Sequence, residues 1–387
     1  MAAAISGLSV NLKVYRGWQN MRKIAFYIDS MGLGGANRVM ANLVSYFHSN
    51  GYDVCLINDV SLTGKDKEYS LPDGIKRYFI DNNGKRHDFL GKQFHRLKAI
   101  RSILKENETE VVVSFMGPPN IRMLLATLGM KVKKVVSVRN DPYKEYGTGI
   151  KRYLARSIFC LADGCVFQTQ EASEYFPEKV KKNSRIIVNP VNEKFYGVTW
   201  TGKNKEIAVI GRLQSQKNPL LALKAFQLIV NDFPEYTLVY YGDGELKDEI
   251  VRKSKEYEID SRVVVYGKIS DVESRLASSM VYLLSSDYEG MPNVLLEAMA
   301  VGVPAISTDC PCGGPRSIIQ NSSQGELVPC GDAQLMANAL WNLLSNKERQ
   351  NYMSIHERER AKQFHPNVIC SEWEEFIIGV YSGINIP

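Results

Sequence analysis

Two carboxylates eight residues apart, Glu289 and Glu297, lie in the segment SSDYEGMPNVLLEAMAVGVPAI, residues 285–306. A strand-like run, VYLLSS, leads into it. Gly290 lets the backbone come close to a ligand, Met291 follows, and Pro292 suits the first turn of a helix. Proline has a fixed φ and no N–H. The amides of Asn293, Val294 and Leu295 are therefore expected as free donors at the helix start. Free amides on the positive end of a helix dipole make an anion site, and phosphate matches it best. Glu297 falls one turn further in. With phosphates at the helix start, the two carboxylates would meet different parts of one ligand and accept from vicinal hydroxyls of a ribose or hexose. Two glutamates at this spacing are ordinarily surface or ion-pair residues. The glycine, the proline and the amides falling where a phosphate needs them set this segment apart.

A second strand-to-helix junction carries Gly211-Arg212-Leu213 and then Lys217-Asn218-Pro219. Arg212 could grip a diphosphate through two N–H groups while Lys217 acts as a point charge; taken alone, both are equally well ordinary loop charges. A third element, Gly32-Leu33-Gly34-Gly35, has Asn37 where a dinucleotide fingerprint needs its last glycine. It reads either as a loop approaching a phosphate or sugar or as a tight strand–helix turn.

The elements that must hold these residues alternate in type. KIAFYI, a glycine turn, the amphipathic NRVMANLVSYFHSN and VCLIN open a parallel α/β layer, and Val111–Phe115, Val135–Val138 and Cys165–Gln168 continue it. After the connector around Asn189-Pro190 the alternation restarts with EIAVIGRL, TLVYYGDG, RVVVYGKI, VYLLSS and PAISTD as strands. The expected organisation is a disordered or artefactual extension over 1–20, a first domain over 21–190, a second over 191–365, and a last helix in 366–387 free to pack back on the first domain. Two doubly wound domains facing across a cleft would put ligands at the carboxyl ends of their strands.

Composition narrows the function. The 387 residues are 23% charged and 44% hydrophobic, an ordinary globular balance. No apolar run reaches the ~18 residues of a membrane span. Seven cysteines without a C-x-x-C pair argue against a disulfide framework or a zinc site and fit reduced thiols in the cytoplasm. Residues 1–190 hold about 29 Lys and Arg against 17 Asp and Glu, whereas residues 191–387 hold about 19 against 25. A basic half invites an anionic partner, a lipid headgroup or a pyrophosphate. A nucleic-acid partner is not expected, because interleaved aromatic motifs are lacking.

Together GLGGANRVMANL, VNPVNEKFY, VIGRLQSQKNPLLALKAF, YGDGELKDEI, VYGKISDVESRLASS, YEGMPNVLLEAMAVGVPAIS and CPCGGPRSII resemble the retaining glycosyltransferases of group GT4, which have the GT-B fold. The resemblance implies a hexosyltransferase moving a hexose or N-acetylhexosamine from a nucleotide sugar, a UDP-sugar by analogy. Glu289 would meet the hydroxyls of the transferred sugar and Glu297 the ribose. Arg212 and Lys217 would hold the diphosphate, helped by the amides of Val294 and Leu295. The main chain near Ile269 would read the base, and Gly34 and Gly35 would approach the donor phosphate. No metal or other cofactor is implied. Two positions depart from the pattern: Ser317 stands where an acid is common, and SVRNDP, with Arg139 and Asn140, where a histidine is common. Arg139 is assigned to substrate, Ser114 and Asn120 to the acceptor side, and His87 and His95 to the surface.

CPCGGPR and SVRNDP resemble those of bacterial polysaccharide and glycan assembly enzymes. The basic half then fits a protein lying on the anionic cytoplasmic face of the plasma membrane, through the stretches near Lys92–Lys105 and Lys131–Lys134, and meeting a polyprenyl-diphosphate-linked saccharide. The competing readings are a non-catalytic nucleotide-sugar-binding subunit and an NAD-dependent oxidoreductase.

Overall fold

The computed structural model describes residues 21–32, 34–62, 68–81 and 89–384. The extension over 1–20 and His87 lie outside the described residues. The chain forms two compact units. One runs to Val188 and is completed by Asn367 onward; the other is Asn189–Pro366.

The first unit is a parallel sheet of β1 (Lys23–Ile28), β2 (Asp53–Asn58), β3 (Lys76–Phe79), β4 (Val111–Phe115), β5 (Lys133–Ser137), β6 (Gly164–Phe167) and β7 (Ser184–Ile186). Its order is β3-β2-β1-β4-β5-β6-β7. Central strands such as KIAFYI and VVVSF are apolar on both faces because helices cover both sides. The helix Gly35–Ser49 buries Val39, Met40, Leu43, Val44 and Phe47, a stripe at helical spacing. The last helix, Pro366–Ser382, belongs to this core. Trp373 is fully buried with its ring centroid 5.4 Å from that of Phe115. Glu374 accepts from the Tyr46 and Tyr52 hydroxyls at 2.9 and 2.6 Å, and Arg185 pairs with Glu375 at 2.7 Å.

The second unit repeats the plan with β8 (Glu206–Ile210), β9 (Thr237–Tyr241), β10 (Val263–Val265), β11 (Val281–Leu284), β12 (Ala305–Thr308) and β13 (Glu326–Val328), in the order β10-β9-β8-β11-β12-β13. The short edge strands β3, β7 and β13 escape the sequence reading. KRYF, SRI and ELV are three or four residues long and mostly half-exposed, so they lack the apolar runs that mark the central strands.

Both sheets reverse their winding between adjacent strands, β1 and β4 in one and β8 and β11 in the other. At such a boundary the flanking helices go to opposite faces, and the loops at the carboxyl ends are left side by side. In the second unit these are the loops Gly211–Asn218 and Ser285–Pro292. Glycines press them into shape. A Cβ on Gly242 would stand 1.8 Å from the Gly211 carbonyl oxygen, and one on Gly314 would stand 2.0 Å from that of Gly290. Gly242→Ala is expected to cost about 2 kcal/mol or more of stability, because backbone cannot step aside as a side chain can. Gly197→Ala, whose Cβ would meet only Lys194 O at an ordinary 3.5 Å, is expected to change it by no more than about 0.5 kcal/mol. Urea melts of both variants check the contrast.

Candidate active site

The site of the second unit is built on the two loops that follow β8 and β11. Asn218 ends the first loop at φ 41°, ψ 57° and caps the helix Pro219–Ile229 by accepting from Leu221 N at 3.2 Å. Its amide donates to Asp287 Oδ1 at 2.8 Å across to the second loop. Three more bonds stitch the loops together: Asp287 N to Gln216 O at 2.9 Å, Gln216 Nε2 to Tyr288 O at 3.1 Å, and Ser285 Oγ to Lys217 O at 3.0 Å.

That stitching puts Lys217 Nζ 2.5 Å from Glu289 Oε1. The same oxygen accepts from Ser286 Oγ at 2.7 Å, and the Ser286 carbonyl accepts from Thr308 Oγ1 at 2.6 Å. The Glu289 carboxylate is buried and Lys217 largely so. A buried ion pair of this kind is stable only with its hydrogen bonds complete, and Ser286 supplies the third partner. Arg212 is exposed, and its side chain makes no ion pair or hydrogen bond among the described residues.

Gly290, Met291 and Pro292 are buried and lead into the helix Asn293–Val301. Here the structure corrects the sequence reading. The Leu295 amide is not free, because it donates to Pro292 O at 3.1 Å in a tightened first turn. The amides of Asn293 and Val294 make no hydrogen bond among the described residues, so the free donors number two and not three. Asn293 is held from the connector, its Oδ1 accepting from Asn189 Nδ2 at 2.7 Å. Glu297 is buried on the same helix. Glu289 and Glu297 together, after burial itself, push the Tyr282 hydroxyl far above its ordinary range. Ile269 is in the loop after β10, two strands from β8. Ser317 turns its hydroxyl back to Gly314 O at 2.7 Å.

The remaining candidates are in the first unit. Gly34 caps the helix Gly35–Ser49 at φ −143°, an extended conformation open to any residue, with only Asn37 near a Cβ. Arg139 is buried with its guanidinium 4.8 Å from the Phe115 ring centroid and 5.9 Å from that of Trp373, and burial lowers its pKa to about 9. Its Nη1 donates to Ser137 Oγ at 3.3 Å. Ser114 and Asn120 are likewise fully buried cross-ties. Ser114 Oγ donates to Asn120 Oδ1 at 2.7 Å, and Asn120 Nδ2 donates to Ser137 O at 2.8 Å. His95 lies 3.4 Å from Ile80 O. Among the described residues no group of three His, Cys, Asp or Glu side chains gathers to hold a metal.

One residue the sequence reading passed over is Glu145. Its Oε1 accepts from Gly117 N at 2.7 Å, at the start of the helix Gly117–Ala126, and its Oε2 is buried without a hydrogen bond. A Cβ on Gly117 would collide with Glu145 Cγ at 2.9 Å, so glycine is what makes room. Locally only the turn is signalled: Asp141 caps it by accepting from Tyr143 N at 2.9 Å, and Pro142 opens it. Burial outweighs the Gly117 bond and raises the carboxyl to about 7.

Comparison with known proteins follows this geometry. Residues 33–195 match the family described as Glycosyltransferase Family 4, and residues 192–360 that described as Glycosyl transferases group 1. The chain is 32% identical over 346 residues to the Escherichia coli UDP-Gal:alpha-D-GlcNAc-diphosphoundecaprenol alpha-1,3-galactosyltransferase, covering 81% of this chain and 86% of the relative. The chain belongs to glycosyltransferase family 4. A 27% identical relative covers 93% of this chain and 99% of its own length: the Campylobacter jejuni GalNAc-alpha-(1->4)-GalNAc-alpha-(1->3)-diNAcBac-PP-undecaprenol alpha-1,4-N-acetyl-D-galactosaminyltransferase. The crystal structure of Anabaena HepE in complex with UDP superposes with a TM-score of 0.75 at 15% identity, over 91% of this chain and 98% of that one. The fold is thus GT-B, and this family 4 enzyme is a hexosyltransferase. The oxidoreductase and non-catalytic readings fall with that membership.

The raised Glu145 carboxyl has a stability consequence. Folded Glu145 holds its proton up to about pH 7, whereas the unfolded group releases it near 4.5. Its contribution is complete below pH 4.5 and is lost as pH rises through 7. Glu145→Gln is expected to flatten the stability profile between those values by on the order of 3 kcal/mol, read from urea midpoints at each pH. A parallel fall in both proteins would contradict it.

Proposed function

We propose that this glycosyltransferase moves a hexose or N-acetylhexosamine from a UDP-sugar to a polyprenyl-diphosphate-linked saccharide, with retention of anomeric configuration, in the assembly of an O-antigen, capsule or exopolysaccharide. The observation that carries the reading is the loop pair at β8 and β11: a lysine, an exposed arginine and two unbonded amides beside a buried carboxylate. The two bacterial relatives, named for undecaprenol-diphosphate-linked sugars, support the acceptor class. HepE with bound UDP supports the donor class.

In this reading Lys217 and Arg212 take the charge of the departing diphosphate, and the Asn293 and Val294 amides assist; no metal is needed. Glu289 accepts from hydroxyls of the transferred sugar, and Glu297 from the ribose. The backbone at Ile269 meets the base, and that at Gly34 and Gly35 a phosphate. The bond from anomeric carbon to phosphate oxygen breaks, and the acceptor oxygen bonds the same carbon from the same face. The acceptor proton passes to the leaving diphosphate. The task of the protein is to position both partners and stabilise charge. The enzyme works at the inner face of the plasma membrane, where such acceptors are anchored, with its basic first unit toward the anionic surface.

A panel of nucleotide sugars ranked by thermal shift, followed by transfer to lipid-linked acceptors, tests this. Lys217→Ala and Glu289→Ala are each expected to lower kcat by about 10²–10³-fold, and proton NMR of the product should show the anomer of the donor. Transfer undiminished in both variants, an inverted product, or a trapped glycosyl ester on the enzyme would overturn the mechanism.

A further inference from the structure

The helix Gly149–Phe159, GIKRYLARSIF, turns only Ala155 and Phe159 fully inward. On the opposite side stand Ile150, Tyr153 and Leu154, 80%, 72% and 55% exposed. Their spacing of i, i+3 and i+4 makes them one stripe. Such a stripe is costly to leave in water, and three large apolar side chains within five residues form a patch and not scattered exposure. Cations flank it on both sides, Lys151 on one and Arg156 on the other. The helix contains no acid. Arg152 is held in place, its guanidinium 5.3 Å and 5.1 Å from the ring centroids of Tyr143 and Tyr175. Beside the helix runs an open groove of about 580 Å³, lined by Arg152, Tyr153, Arg156, Cys160 and Pro177.

Charge decides the occupant. A protein partner for an apolar stripe has no need of cations on both flanks. An anionic bilayer offers both halves of the match, an acyl boundary for the stripe and negative headgroups for the flanks. We propose that the Gly149–Phe159 helix is a membrane-docking face that lays Ile150, Tyr153 and Leu154 into an anionic lipid surface while Lys151 and Arg156 meet its headgroups. This deepens the reading of the acceptor as lipid-linked, on which it rests for its purpose. It also moves the docking face from the lysine-rich stretches near 92–105 and 131–134 to a helix that has apolar side chains to insert.

Cosedimentation of the full chain with phosphatidylcholine vesicles, with and without phosphatidylglycerol, tests it without any sugar present. The wild type is expected to bind the phosphatidylglycerol vesicles and to release as salt rises. Ile150→Ser/Leu154→Ser should weaken that binding by about tenfold or more. Lys151→Gln/Arg156→Gln should weaken it by about threefold or more and shallow its salt dependence. Tyr153→Trp should shift its emission to the blue on vesicles. Unchanged UDP-induced thermal shifts report that the variants are folded. A wild type that stays in the supernatant, or binding indifferent to Ile150→Ser/Leu154→Ser, overturns the proposal. So does lipid-free self-association that the same pair abolishes, since it assigns the face to a second copy. Vesicle binding without transfer to any lipid-linked sugar upholds the docking face and removes the acceptor reading. Transfer by a protein that ignores vesicles does the reverse.

Discussion

Lys217 and Glu289 are 72 residues apart in the chain and 2.5 Å apart in space. Only the adjacency of β8 and β11 makes that possible. A parallel sheet wound one way and then the other leaves one boundary where two carboxyl-end loops face each other with no helix between them. Everything chemical in the second unit hangs on that boundary. The stitching bonds between the loops fix lysine, carboxylate and helix start relative to one another before any substrate arrives, so little reorganisation is left to be done during reaction.

The ion pair has its own logic. Two charges removed from water need complete hydrogen bonding to be tolerated. Ser286 gives Glu289 Oε1 a second donor, and Thr308 from β12 anchors Ser286. In the proposed reaction the diphosphate competes with Glu289 for the ammonium, and sugar hydroxyls replace the ammonium on the carboxylate. The pair is then a holding arrangement exchanged for ligand contacts. Arg212, exposed on the same loop, has no such exchange to make.

The central strands and the chemical segments were legible because each is a local signal: an apolar run, a glycine turn, a proline at a helix start. What escaped was tertiary. Leu295 loses its free amide because the first turn tightens onto Pro292 O, a detail of ψ that composition does not carry. Ser114, Asn120 and Arg139 have polar side chains at or just beyond strand ends, and nothing local in the sequence gives their partners. In the fold they tie β4 to β5 or lie under aromatic rings, one of them contributed by Trp373 from the far end of the chain. Glu145 went unnoticed because its burial depends on Gly117, 28 residues earlier. The edge strands were too short and too exposed to show a pattern.

The central claim is that the loops at β8 and β11 grip a diphosphate through Lys217. Calorimetric titration of uridine diphosphate and uridine monophosphate against the wild type and Lys217→Met tests it most directly. The account predicts that the second phosphate strengthens binding to the wild type by about tenfold or more, and that most of this gain disappears in Lys217→Met while the monophosphate binds both proteins alike. Equal affinities for the two nucleotides in the wild type, or a gain that survives the loss of the ammonium, would contradict it.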